Sequence, residues 1–297
     1  MKKSLLFFVV VAISAFSQVF AQTPERPSPP RVLLIVREDI KPGMMGTHNR
    51  HSAEFANIFN KLQTPNHRIA LVPVAGSENE VIYLTGADTF AELEGIQKAT
   101  DEKMAAAGGS MKADMDRLDK EAPQLHAGMR DMLAVLRPEY GYIPDVNPDI
   151  NIATMRYFAV TTVRLRPGQE DQYAELLKIQ KAARDKAKAE LHVVAFQIIA
   201  GTPSPTLMFF RPMKSLAEYD LRIGPRVRAA MSDDQQKRTD KLAVDTIQFS
   251  ETSVYAMSPQ MSYASKAMIA GDPGFWTPKP AMMAKPKPKK KMAKPVA

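Results

Sequence analysis

The stretch Val163-Arg164-Leu165-Arg166-Pro167-Gly168-Gln169-Glu170-Asp171-Gln172-Tyr173 decides the reading of this chain, because an earlier stretch repeats it. Arg166-Pro167-Gly168 follows an apolar run, and Ala200-Gly201 closes a second run. Lys41-Pro42-Gly43 and Ala75-Gly76 do the same, each 125 residues earlier. Leu216-Ala217-Glu218-Tyr219 echoes Phe90-Ala91-Glu92-Leu93. Ser258 to Tyr263 matches Arg137 to Tyr142 at an offset of 121, which aligns Pro259 with Pro138 and Tyr263 with Tyr142. A period this long means a duplicated domain rather than a solenoid of short units.

Each copy reads strand–helix–strand–strand–helix–strand. In the first, Arg31 to Arg37 is an apolar run of strand length, and Phe55, Ile58, Phe59 and Leu62 set one buried helical stripe. Arg68 to Ala75 and Val81 to Thr85 form a hairpin through Gly76-Ser77-Glu78-Asn79, and a second helix follows from Thr89. Between Met111 and Leu136 the small and apolar residues recur at gaps of four and three. That spacing predicts two helices end to end, or one kinked at Pro123, before a closing strand around 133–142. In the second copy the strands are 156–165, 193–200, 206–210 and 252–257. Tyr173, Leu176, Leu177, Ala183 and Ala187 form the helical stripe, and a further helix starts near Ser215. The order is that of the ferredoxin-like split unit, whose sheet has helices on one face only. Two copies can cover each other's bare faces. The expected fold class is therefore α+β: two tandem ferredoxin-like βαββαβ units packed as an internal pseudo-dimeric α+β barrel, two sheets facing each other with helices outside.

The Arg166-Pro167-Gly168 turn, the helix carrying Tyr173, the hairpin and Leu216-Ala217-Glu218-Tyr219 together resemble the dimeric α+β-barrel superfamily, which includes antibiotic-monooxygenase-like and NIPSNAP-like domains. The resemblance spans both halves, 31–146 and 156–265. It implies a pocket between sheet and helices in each half. It also implies a choice among cofactor-independent oxygenases, haem proteins and members without activity, so the cofactor expected from it is haem or none. A fold does not choose among these.

The formal net charge of +8 is located rather than spread. Lys2 and Lys3 supply +2 to residues 1–21, and seven lysines supply +7 to residues 273–297, which leaves −1 for residues 22–272. Residues 1–21 read as a secretory signal peptide: a Lys2-Lys3 start, an apolar run from Leu5 to Ala15, and small residues before a cut at Gln22. No later stretch is apolar enough to span a bilayer, so no transmembrane helix is expected in the mature chain. Residues 22–30 are a Pro-rich spacer, 147–155 a linker, and 266–297 a disordered Lys/Pro-rich tail suited to anionic envelope surfaces. Export and a neutral core argue against nucleic acid. The chain contains no cysteine, which excludes disulfides, thiolate metal sites and thiol nucleophiles. The expected location is periplasmic or secreted.

His67 and His192 correspond between copies, each just before the second strand of its unit. As a symmetric pair they are candidates for a general base or a haem ligand, against the alternative of polar residues at a strand entrance. Tyr142, Arg156, Tyr157 and Tyr173 are candidates to bind a flat, largely apolar molecule, against ordinary packing. His48 and His51, in a Gly-rich segment read as an exposed insertion peculiar to the first copy, are candidate metal ligands beside Met44 and Met45. His126 reads as structural, and Met111, Met115, Met129 and Met132 as fillers of core gaps. No Ser-His-Asp order, Walker loop, dinucleotide fingerprint or zinc-deaminase pattern is present. The sequence leaves two readings: an exported small-molecule binder with oxygenase-like or haem-associated activity, or a non-catalytic envelope scaffold attached through its tail. It does not decide whether the protein is an enzyme.

Overall fold

The turn Lys41-Pro42-Gly43-Met44 closes with a 3.0 Å hydrogen bond from the Met44 N–H to the Lys41 carbonyl, and Gly43 sits at φ +81°. Arg166-Pro167-Gly168-Gln169 repeats it, at 3.2 Å and φ +77°. Proline second and glycine third in a turn favour the type II geometry, whose positive φ costs glycine little. In each half this turn ends a strand and starts a helix. The structure is a computed structural model and describes residues 29–145 and 148–277.

The first half runs β1 (Val32–Ile40), α1 (Met45–Leu62), β2 (Arg68–Ala75), β3 (Glu80–Ala87), α2 (Phe90–Ala105), α3 (Gly109–Leu125) and β4 (His126–Leu136). The second runs β5 (Tyr157–Leu165), α4 (Glu170–Lys186), β6 (Val194–Ala200), β7 (Thr206–Met213), α5 (Ile223–Ala229), α6 (Asp233–Thr246) and β8 (Ile247–Tyr263), followed by α7 (Lys266–Gly271) and α8 (Pro273–Trp276). The strands close one antiparallel barrel in the order β1-β3-β2-β8-β5-β7-β6-β4. Taken by halves, that is β4-β1-β3-β2 and β8-β5-β7-β6, so strands of the same rank hold the same places. The halves join edge to edge, β2 on β8 and β4 on β6. The expected pair of facing sheets is thus one continuous wall, because joining the edges satisfies backbone groups that two separate sheets would leave open.

Strand alternation sorts the side chains. Leu33 and Ile35 of β1 point into the barrel, where Phe158, Phe196, Phe210, Met132, Met208 and Met257 fill the space. Phe210 stands edge-on to Phe158 and Phe196, at 6.2 and 5.8 Å between ring centroids. Such pairs add about 0.5–1.5 kcal/mol beyond their burial. At one end the apolar filling gives way to Glu80, ion-paired with Arg37 and bonded to the Tyr255 hydroxyl. The space left there is about 10 Å³, room for about one water.

Several expectations change. Residues 126–136 form strand β4, not helix: α3 ends at Leu125, two residues after Pro123, and its seam positions pass into a strand. Met132 is buried in the core, but Met129, beside it on the same strand, is 64% exposed and fills no gap. The polar stretch after Ser232 is helix α6, started by a capping box between Ser232 and Gln235. The linker contains a 3-10 turn, Ile152–Thr154, and buries Ala153 and Met155.

Residues 266–277, expected within a disordered tail, are instead ordered. α7 and α8 close the base of the barrel, where Trp276 is buried and its Nε1–H donates to the Ala153 carbonyl at 2.8 Å. Arg156 pairs with Asp272 and lies 4.0 Å from the Phe275 ring centroid. Apolar burial and these contacts outweigh the chain's Lys/Pro bias up to this point. The expected signal peptide at 1–21, most of the expected spacer and residues 278–297 of the expected tail lie outside the described residues. Among the described residues no helix is long and apolar enough to cross a membrane.

Candidate metal centre

Glu38 faces outward from β1, toward the helices, opposite Val81 of β3 and Met129 of β4. α1 lies over it and turns His48, His51 and Ser52 inward, all buried, with His48 fully so. His126 is the first residue of β4 and pairs with Ile40 just past a bulge at Asp39. Two consecutive elements, β1 and α1, thus meet the sequence-distant β4 at one point. His48 Nε2 lies 2.6 Å from Glu38 Oε2, and His126 Nε2 lies 3.4 Å from the same oxygen. One ligand atom from each residue falls within 4.8 Å of the others. The His48 and His126 rings meet edge to face at 5.3 Å.

The surrounding polar groups support the cluster. The Tyr83 hydroxyl donates to Ser52 Oγ at 2.7 Å, and Ser52 Oγ lies 3.4 Å from His48 Nε2. Burial raises the Glu38 carboxyl, but hydrogen bonds from His126 and His48 outweigh it and hold the group at about 2. Glu38 is therefore an anion under ordinary conditions. Burial pushes the Tyr83 phenol up, and the Glu38 charge pushes it further, so it stays neutral and donates. Arg68 places its guanidinium 4.4 Å from the Tyr83 ring centroid and 4.9 Å from that of Phe59. His48 Nδ1, His126 Nε2 and Arg68 Nε are buried without a well-directed hydrogen bond. Buried polar atoms left in this state call for an ion, a water or a ligand.

The second half shows what the fold alone requires here. Leu165 pairs with Ile247 just past a bulge at Arg164, as Ile40 pairs with His126. Val163 stands where Glu38 stands, Tyr173 where His48 stands, and Leu176 and Leu177 where His51 and Ser52 stand. Phe209 replaces Tyr83, Val193 replaces Arg68 and Ile247 replaces His126. All seven belong to, or pack on, one apolar cluster under α4 and α6. At the matching positions one architecture carries aliphatic and aromatic side chains once, with the Arg184 guanidinium beside Tyr173, and two imidazoles, a carboxylate and a guanidinium the other time. Replacing buried charged groups by packed apolar ones is often neutral or stabilising, so stability does not account for the first filling.

Two imidazoles and a carboxylate are a usual donor set for zinc or another divalent first-row ion. The structure brings one of the two candidate histidines into this cluster. His48 belongs to the cluster, whereas His51 Nε2–H donates to the Leu118 carbonyl at 2.9 Å, which spends that nitrogen. Nor are the two histidines in an exposed insertion. α1 and α4 start from the same turn, 125 residues apart, and the Gly-rich segment is the first turns of α1. Glu38 and His126 are not among the sequence candidates: Glu38 lies just past the apolar run that ends at Arg37, and His126 reads as a structural residue in a helical region. The available signal was the alignment of Glu38 and His126 with Val163 and Ile247.

The other candidate residues are dispersed. His67 is half-buried, packs on the Tyr263 ring at 4.5 Å and is held below its ordinary pKa by burial. His192 holds the corresponding place before Val193, which bridges to Tyr142. The Tyr263 hydroxyl donates to the Thr64 carbonyl at 2.9 Å, and that of Tyr142 to the Ala189 carbonyl at 3.5 Å, a matching pair of corner bonds. Tyr173 is core, 6.5 Å from Phe209. Arg156 is engaged by Asp272 and Phe275, and Tyr157 sits half-buried at the start of β5. The structure does not bring Tyr142, Arg156, Tyr157 and Tyr173 into one pocket.

A haem does not fit inside the barrel. A ligand of that size needs a cavity of several hundred Å³, and apolar side chains fill the barrel. A shallow groove of about 510 Å³ does run along α3, but it is lined by Asp116, Arg117, Lys120 and Glu121. Exposed ion pairs account for it, as Arg117 bonds Glu121 and Glu54.

The fold and this geometry define the class: the chain has the dimeric α+β-barrel fold. No known protein family matches the sequence, and no curated protein does. An anthrone oxidase-like protein of known structure shares 11% identity at a TM-score of 0.50, covering 78% of this chain and 93% of its own. A candidate monooxygenase from Lactobacillus acidophilus aligns at 8% identity and TM-score 0.43, covering 77% of this chain and 94% of its own. A chlorite dismutase variant from Candidatus Nitrospira defluvii aligns at 9% and 0.46, covering 82% and 96%. At such identities the likeness extends to the fold alone.

Proposed function

We propose that this protein binds a divalent first-row transition-metal ion through Glu38, His48 and His126, and that the first half is the functional half of a duplicated chain. One observation carries the reading: the three ligand atoms converge at a place where the matching residues of the second half are apolar. Three protein ligands leave coordination positions open, as catalytic rather than purely structural sites do. Oxygenase-like chemistry on a small molecule is the activity class that agrees with this donor set and this fold. The matching strand orders and turns support descent of the halves from one ferredoxin-like βαββαβ unit, with domains at 31–146 and 156–265.

Metal analysis of protein purified without chelators or a histidine tag tests the reading. About one zinc, iron, manganese or cobalt ion per chain is expected, lost in Glu38→Gln and His126→Ala. A metal-free protein whose melting temperature ignores added Zn²⁺, Co²⁺ and Fe²⁺ would sink the proposal.

The start of the sequence supports export, with cleavage before Gln22 and a periplasmic or secreted mature chain. N-terminal sequencing of the mature protein checks this. The lysines after residue 278 supply the charge for attachment to anionic envelope lipids. The side-chain-filled barrel favours a second reading, a non-catalytic envelope scaffold. Salt-dependent binding to phosphatidylglycerol vesicles, lost on deleting 278–297, combined with absence of bound metal, would favour the scaffold.

A further inference from the structure

Arg68 carries a positive charge into a region where the second half places Val193. A guanidinium stays protonated in proteins, so its charge cannot be shed by burial. The groups acting on it electrostatically are the Tyr83 phenol, which is neutral, and the single carboxylate of Glu38. Glu38 is already shared by His48 and His126. The aromatic rings of Phe59 and Tyr83 cover the guanidinium, while its Nε has no hydrogen-bond acceptor. Tyr83 in turn bonds Ser52, which lies beside His48. Arg68 thus reaches the cluster through Tyr83 and Ser52 and through the charge of Glu38, and among the described residues no acid is paired with it.

Charge balance sharpens the point. With a divalent ion held by two neutral imidazoles and Glu38, the centre is left with one positive charge, and Arg68 adds a second. Even partly buried, as Arg68, Glu38 and His126 are, an excess of this kind is costly unless an anion offsets it. A guanidinium fork matches carboxylates and oxyanions in geometry, and an ion with open positions accepts the same groups.

We propose that the metal centre takes a small anionic co-ligand, of carboxylate or oxyanion type, held between the ion and the Arg68 guanidinium. The inference rests on the reading of Glu38, His48 and His126 as metal ligands. It assigns Arg68 a binding role that the histidine cluster alone does not require.

The test uses the mature full-length protein loaded with Co²⁺, whose visible absorption reports its ligands, titrated with sodium formate and separately with sodium azide. Saturable spectral change is expected with wild-type protein. Arg68→Met keeps the cobalt spectrum but needs at least about tenfold more formate, the loss expected for one charge-assisted bond. Arg68→Lys, which keeps the charge without the planar fork, falls between and decides the matter if Arg68→Met does not fold. Equal formate affinity in wild type and either variant overturns the assignment, as does a wild-type cobalt spectrum that no anion alters. Absence of any cobalt spectrum in wild type overturns the metal reading itself.

Discussion

Glu38 Oε2 lies 2.6 Å from His48 Nε2, in the same layer where the second half sets Val163 against Tyr173. Because Glu38 is held at about 2 in the folded protein, against 4.5 ordinarily, it stabilises the metal-free fold above pH 4.5. That contribution is lost as the pH falls from 4.5 toward 2, since the unfolded chain takes up the proton first. Its ceiling is about 3 kcal/mol, at roughly 1.4 kcal/mol per unit. Urea unfolding of chelator-treated protein between pH 6 and 3 should show this fall, and Glu38→Gln should flatten it.

Transplanting the second half's residues separates function from folding. The quadruple variant Glu38→Val, His48→Tyr, Arg68→Val and His126→Ile, which transplants the whole set, should bind no Co²⁺. Its metal-free melting temperature should equal or exceed that of wild type, because packed apolar groups replace an incompletely satisfied polar set. Calorimetry with and without metal checks both halves of the statement.

Two turn glycines should respond differently to alanine. A Cβ at Gly201 would stand 2.2 Å from the Asp131 carbonyl oxygen, and backbone cannot move aside cheaply. At Gly43 nothing lies within 4 Å, so only the positive φ opposes the change. Gly43→Ala should cost about 1 kcal/mol and Gly201→Ala clearly more, measured by denaturant titration.

Trp276 is the only tryptophan in the chain and is buried at the barrel base. Its fluorescence should be blue-shifted in the folded protein and move red on unfolding. Trp276→Ala should cost about 3 kcal/mol or more by leaving a cavity. Ending the chain after Thr277 should leave stability unchanged, whereas ending it after Ser265 should lower it.

Local chemistry made much of this architecture readable. The Pro-Gly turns, the stripes through Phe59 and Leu176 and the alternating strands all act over a few residues, where sequence order is spatial order. Glu38 and His126 are 88 positions apart. They meet only through the pairing of β1 with β4, which helical spacing through Met129 and Met132 concealed. His48 was visible as a ligand type, but its partner His51 turned to a carbonyl on α3, a choice made by tertiary packing. Trp276 reads as part of the tail because it precedes a run of lysines, although its own burial follows from contacts with Ala153 and the barrel.

The edge-to-edge seams of β2 with β8 and β4 with β6 have a consequence for separated halves. Cut between residues 146 and 156, either fragment presents two naked strand borders and an open bowl of hydrocarbon. The amino-terminal fragment can close only by meeting its own duplicate, and the resulting assembly would own two copies of the Glu38–His48–His126 cluster where the native chain has one.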